Sequence, residues 1–135
     1  MKTNDFDSKK LIHYWTDSSD EDYETMMAMY RANRFSWALF AGHLMMEKLL
    51  KAFFVKVNDD YPPYTHNLLR LAESARLNID ENQKVFLVTV TAFNINARYD
   101  DYKKSFQKRC TPEFTLKWIN ELKHHRQWIK KHIKQ

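Results

Sequence analysis

The hydrophobic residues of this chain recur every three or four positions over long stretches, a spacing that places them on one face of an α-helix. The first helix is predicted to begin at a capping box formed by Ser18 and Glu21 and to run to about residue 32. Its buried face is predicted to consist of Tyr23, Met26, Met27 and Tyr30. The pattern therefore opens with an amphipathic helix.

The second predicted helix, residues 34–57, is apolar on nearly all sides. Its large apolar residues are Phe35, Trp37, Leu39, Phe40, Leu44, Met45, Leu49, Phe53 and Phe54. Because a helix of this kind is surrounded by other helices, we place it at the centre of the fold. One narrow polar stripe remains on it, within about one-fifth of a turn, and consists of Ser36, His43, Glu47 and Lys51.

Three more helices complete the prediction. The segment 59–63, which contains two prolines, ends the second helix, and Thr65 then caps a short helix to about residue 76. The fourth helix, residues 81–97, contains a β-branched run at 88–91 that alternates like a strand, but a lone strand would have no partner. Thr111 and Pro112 begin the last helix. The predicted buried residues are Leu68, Leu69, Leu71 and Ala72 in the third helix and Phe114, Trp118, Leu122, His125, Ile129 and Ile133 in the last.

Composition supports this picture. Glycine occurs once and proline three times in 135 residues, too few for the tight turns of a many-stranded β domain. We therefore predict one all-α domain over residues 1–135, an up-and-down bundle of four to five helices. No stretch has the roughly 20 apolar residues that span a bilayer. Residues 1–10 are charged and carry no apolar core of a signal peptide, so we expect a cytoplasmic protein. The single Cys110 and the scattered histidines predict no disulfide, metal site or cofactor.

The net charge of +5 is concentrated in the carboxy-terminal third. Residues 98–135 hold eleven Lys and Arg against four Asp and Glu. This bias indicates an anionic partner, nucleic acid or nucleotide first, although a solvated basic helix face would have the same composition.

Candidate ligand-binding residues fall in three places. Residues 98–109 interleave Arg98, Lys103 and Lys104 with Tyr99 and Tyr102, and cations beside aromatic rings are typical of sites for single-stranded nucleic acid. The alternative is that these aromatic residues pin the segment to the bundle. On the second helix, His43, Glu47 and Lys51 form either one wall of a ligand cleft or an ordinary solvated or interhelical stripe. For His66 there are two interpretations: it contacts a ligand, or it holds the loop before the third helix in place.

Three short motifs in order resemble the HEPN domain family. The first spans residues 34–40, His43 and residues 47–52, where the family often has glutamine in place of His43. The second is residues 65–68, and the third is residues 97–100. Trp15, upstream of the first predicted helix, also suits the pattern. The resemblance covers nearly the whole chain. It implies a helical bundle that commonly forms homodimers and that, in many members, works with a small nucleotidyltransferase in a toxin–antitoxin type pair.

Other members of the family are metal-independent endoribonucleases, and the chain departs from their pattern. In those enzymes four to six residues lie between an arginine that matches Arg98 and a histidine, but Lys103, Lys104 and Ser105 stand where the histidine would fall. Cleavage by the 2′-hydroxyl needs a group that exchanges a proton near neutral pH. Arg126 and His132 have the required spacing, but both lie on the last predicted helix, and such a match is expected by chance.

Three hypotheses follow from the sequence. The first is a non-catalytic module that binds a nucleotide or RNA or a partner nucleotidyltransferase. The second is a divergent ribonuclease that uses Arg98 with a substitute such as Tyr102 or His66. The third is a helical interaction protein without a nucleotide ligand. The missing histidine favours the first.

Overall fold

The computed structural model describes residues 6–135 and confirms the predicted all-α fold. These residues form six helices and no strand: α1 (Ser8–Arg31), α2 (Phe35–Asn58), α3 (Leu68–Ser74), α4 (Glu81–Arg98), α5 (Asp100–Arg109) and α6 (Pro112–Lys134). The β-branched run 88–91 lies inside α4, as predicted. No helix in this part of the chain is long and apolar enough to cross a membrane. The first half of the charged segment 1–10 lies outside the described residues.

Helix α2 lies at the centre of the bundle, as its pattern predicts. It packs against all five other helices. Its single glycine, Gly42, lets α6 approach closely, because a Cβ at this position would lie only 2.5 Å from the buried Leu122 Cδ1. Trp37 and Val57 are the exceptions among the apolar residues of α2, because both lie at the surface.

Helix α1 begins eleven residues earlier than predicted. Asp7 is its N-cap and accepts a hydrogen bond from the Lys10 amide at 3.2 Å. The predicted capping box is therefore wrong, because Ser18 lies within the helix. Residues 8–17 contain no proline or glycine that would prevent helix formation. Asp20 instead binds α6, with Arg126 at 3.1 Å and Lys130 at 2.9 Å.

Helix α3 is capped by Asn67, whose side chain accepts from the Arg70 amide at 3.1 Å. The prediction of Thr65 as the cap is wrong by two residues. The Thr65 hydroxyl instead accepts from the Asn67 amide at 3.1 Å and stabilises the turn before the helix. At α6 the predicted cap is confirmed, because Thr111 accepts from the Phe114 amide at 3.2 Å.

Helix α5 was not among the predicted helices. Its only fully buried side chain is Phe106, which contacts Phe93 of α4 with ring centroids 5.5 Å apart. One apolar anchor in ten residues is too weak a pattern to predict a helix. This helix carries the basic residues Lys103 and Lys104, which were predicted to bind a ligand.

Candidate functional site

The polar stripe of α2 is buried. His43 is completely inaccessible to solvent, and Ser36, Glu47 and Lys51 are each less than one-tenth exposed. The stripe is therefore interhelical, and the alternative of a solvated helix face is wrong. Because buried polar groups are costly unless they are hydrogen-bonded, the partners of these side chains define the site.

Glu47 binds two basic side chains. Its Oε2 accepts from Lys51 Nζ at 2.9 Å, and its Oε1 accepts from His66 Nδ1 at 2.7 Å. Burial alone would raise the pKa of Glu47, but the hydrogen bonds from His66 and Lys51 together with the Lys51 charge hold that pKa below its ordinary value. Glu47 is thus a buried anion. The Lys51 ammonium also lies over the Trp15 ring, 5.1 Å from its centroid.

His43 connects the loop before α3 to α4. Its Nε2 donates to the His66 carbonyl oxygen at 2.9 Å, which leaves Nδ1 as the acceptor for the Asn94 amide at 3.3 Å. Burial lowers the pKa of His43, and this effect outweighs the hydrogen bond to the His66 carbonyl and the Glu47 charge, which both raise that pKa. A neutral imidazole with one defined tautomer is what both hydrogen bonds require.

Asn94 fixes Arg98, one turn later on α4. The Arg98 Nε donates to the Asn94 carbonyl oxygen at 3.0 Å, and a terminal guanidinium nitrogen donates to the Asn94 side-chain oxygen. The guanidinium also lies over the rings of Phe40 and Tyr99, 5.5 and 5.3 Å from their centroids. Asn94 was not among the predicted site residues. The available signal was a polar residue four positions before Arg98 on an otherwise apolar helix face.

These contacts form one continuous polar network, which runs from Lys51 through Glu47, His66, His43 and Asn94 to Arg98. The network reaches the surface at two points. The His66 side chain is 66% exposed, and Arg98 is exposed at the end of α4. Five of the predicted ligand-binding residues therefore belong to the same network.

The other predicted site residues lie beside Arg98. Tyr99 and Tyr102 are about half exposed, and Lys104 is exposed on α5. The Lys103 ammonium lies over the Trp37 ring, 5.6 Å from its centroid. Phe106 is the aromatic residue that pins this segment to the bundle, whereas the two tyrosines remain accessible.

Three basic side chains lie in a row along α2. Lys103, Arg98 and His66 contact α2 at Trp37, Phe40 and Glu47 respectively. At 1.5 Å per residue, these three α2 positions span about 15 Å along the helix axis. The row is long enough to contact more than one phosphate of an extended strand.

Arg126 and His132, the pair on α6 that has the spacing of the ribonuclease motif, take part in packing. Arg126 binds Asp20 and lies 4.1 Å from the centroid of the Tyr23 ring. The Nδ1 of His132 donates to the Trp128 carbonyl oxygen, one turn earlier on the same helix, at 3.0 Å. Neither residue contacts the network described above.

A groove of about 530 Å³ lies between α4 and α6, and its lining includes Phe86, Trp118 and His125. None of the predicted ligand-binding residues lines it. The His125 ring is stacked on Phe86 with centroids 3.6 Å apart and donates to the Glu121 carbonyl at 2.8 Å. This histidine therefore belongs to the packing between the two helices. Within residues 6–135, no group of three or more His, Cys, Asp or Glu side chains could hold a metal ion.

Comparison with known proteins identifies a family for nearly the whole chain. The model of the HEPN domain family matches residues 12–132. The resemblance seen in the three sequence motifs is thereby confirmed. No curated protein and no solved structure gives a significant match.

Proposed function

Because this chain belongs to the HEPN domain family, whose members are nucleotide- or RNA-related modules, we propose that it binds single-stranded RNA along the row of Lys103, Arg98 and His66. The observation that carries the proposal is the buried network that holds Arg98 and His66 in place at the surface. A buried histidine, carboxylate and amide are costly to arrange, and here they orient two exposed basic groups. We refer to Arg98, His66, Lys103, Tyr99 and Tyr102 as the Arg98 site.

The chemistry of the Arg98 site suits a single strand. Guanidinium and ammonium groups bind phosphate, and exposed tyrosine rings stack on unpaired bases. A base contact with Tyr99 or Tyr102 leaves the neighbouring phosphate close to Arg98. A free nucleotide presents the same phosphate and base, so the site would bind it more weakly through fewer contacts.

We propose that the site binds without cutting. The residues at the position of the ribonuclease histidine are lysines and a serine, and Lys103 lies against the Trp37 ring. General acid–base catalysis typically contributes about 10²–10⁴-fold for each proton transfer. A ribonuclease that uses Arg98 with His66 or Tyr102 is the second candidate, and the Glu47–His66 hydrogen bond is the observation that favours it.

Binding is expected to weaken with salt, because each phosphate contact releases counterions. With Lys103 and Arg98 as the two cations in the row, log K should fall against log[salt] with a slope of about −1.4 for a single strand. Fluorescence anisotropy of a labelled uridine 12-mer at four salt concentrations measures this slope, and gel analysis of the same samples detects cleavage. A binding constant independent of salt would exclude phosphate recognition, and metal-independent cleavage would establish the second candidate.

We propose in addition that two copies associate through an uncharged face of α4. Residues 85–97 contain no charged side chain in a protein with 29% charged residues. Val85, Val88 and Ile95 on this stretch are 60%, 53% and 47% exposed, and Ala92 between them is exposed as well. Because each copy carries a net charge of +5, a neutral face is where two copies can meet without like-charge repulsion.

Sedimentation at tens of micromolar is expected to give the mass of a dimer for the wild-type protein. The Val88→Asp variant should sediment as a 16.4 kDa monomer, since the dimer would bury two unpaired carboxylates. Leu116→Asp, at an exposed apolar position on α6, is the matched control and should remain dimeric. A monomeric wild-type protein would contradict the proposal, as would a dimer that tolerates Val88→Asp.

The family resemblance also supports a protein partner. We propose a small nucleotidyltransferase that pairs with this chain in a toxin–antitoxin type system. A gene for such an enzyme beside the gene for this chain, and copurification of the two products, would support that pairing.

A further inference from the structure

We propose that His66 determines the specificity of the Arg98 site by accepting a hydrogen bond from the ribose 2′-hydroxyl, so that the site prefers RNA to DNA of the same sequence. The inference rests on the proposed function, because it requires a strand bound at Arg98. It goes further by assigning a sugar contact to one nitrogen atom, Nε2 of His66.

The hydrogen bond to Glu47 determines which His66 nitrogen faces the ligand as an acceptor. Because the Glu47 carboxylate only accepts, the neutral form of the His66 imidazole carries its proton on Nδ1, 2.7 Å from Oε1. The opposite nitrogen, Nε2, then carries a lone pair and no proton. Since 66% of this side chain is exposed, the lone pair is available to a donor from a ligand.

The position of the His66 ring is fixed from two sides. Glu47 holds the side chain, and His43 holds the backbone carbonyl of the same residue at 2.9 Å. Both partners are almost fully buried and lie on the central helix. A preorganised acceptor loses little conformational entropy when a donor binds, which is the condition for a specific hydrogen bond.

The neighbouring Arg98 restricts what the donor can be. His43 links the two surface groups, because its ring lies 6.3 Å from the His66 ring and its Nδ1 accepts from Asn94, which holds Arg98. Arg98 contacts α2 at Phe40 and His66 contacts it at Glu47, so a strand that places a phosphate on Arg98 and continues along α2 would bring a sugar to His66. The hydroxyl donor adjacent to a phosphate in a nucleic acid strand is the ribose 2′-hydroxyl, and deoxyribose lacks it.

The test compares strands that differ only at the 2′ position. A uridine 12-mer, the matching deoxyuridine 12-mer and a 2′-fluoro 12-mer are titrated against the wild-type protein by fluorescence anisotropy. One neutral hydrogen bond corresponds to a preference of about three- to tenfold. We expect the RNA strand to bind that much more tightly than the DNA strand, and the 2′-fluoro strand, which has no hydroxyl proton, to bind as weakly as DNA.

A His66→Ala variant should bind all three strands equally, and Lys131→Ala, at an exposed position on α6, should keep the preference for RNA. Equal wild-type affinities for RNA and DNA, or 2′-fluoro binding as tight as RNA, would overturn the assignment of His66 while leaving the Arg98 site intact. Both readouts use the wild-type protein, so they hold even if His66→Ala misfolds. Binding of no strand at all would instead reject the proposed function.

Discussion

Replacement of Glu47 by alanine is expected to lower the free energy of unfolding by about 3–5 kcal/mol, the cost of leaving a buried ion-pair partner uncompensated. Lys51 is less than one-tenth exposed and donates to Glu47 at 2.9 Å, so its ammonium would lose its carboxylate inside the bundle. The same change removes the hydrogen bond that holds the His66 ring. Two elements, the central helix and the loop before α3, would therefore be destabilised together.

Urea unfolding of the wild type, Glu47→Ala and Glu24→Ala measures this effect. Glu24 is an exposed carboxylate on α1, so its removal should change stability by less than about 0.5 kcal/mol. Equal stabilities for the two variants would show that the Glu47 network contributes nothing to the fold.

The stabilisation by Glu47 should also depend on pH. Because the folded-state pKa of Glu47 is depressed, this contribution is fully present above the unfolded value of about 4.3 and is lost as pH falls through the lower folded value. The difference in stability between wild type and Glu47→Ala should therefore narrow in acid. A difference that stays constant from pH 7 to pH 3 would mean that Glu47 is not held as an anion.

The features predicted correctly from sequence are those that local rules determine. The apolar pattern of α2 predicts its central position, and Thr111 followed by Pro112 predicts the start of α6. In α4 the absence of any predicted strand partner favours a helix more strongly than the β-branched residues favour a strand. The first two of these predictions use residues that are close together in the chain.

The features that sequence analysis missed depend on contacts between distant segments. Ser18 and Glu21 have capping-box chemistry, but α1 continues through them and the acidic Asp20 binds cations on α6. The burial of the α2 stripe depends on partners 19 to 51 residues away, which no local pattern reveals. Asn94 stands four positions before Arg98 on an otherwise apolar helix face, but its contact with His43 on α2 is one that the local pattern does not reveal.

Replacement of Arg98 by alanine is expected to weaken RNA binding by about 10- to 100-fold. A hydrogen bond to a charged group contributes about 1.5–3 kcal/mol, which is this range of affinity. Two hydrogen bonds to Asn94 and the rings of Phe40 and Tyr99 already orient the guanidinium. Arg98 therefore loses little side-chain freedom when it binds phosphate, and most of its interaction energy appears as affinity.

The most direct test of the Arg98 site is a parallel anisotropy titration of the uridine 12-mer with wild type, Arg98→Ala and Lys131→Ala. Both variants lose one positive charge, but Lys131 lies near the far end of α6, beyond the Arg98 site. Thermal unfolding of each variant confirms that it is folded. We predict that Lys131→Ala binds within about twofold of wild type and that Arg98→Ala loses at least tenfold. Equal losses in the two variants would mean that RNA responds only to net charge, which would contradict a binding site at Arg98.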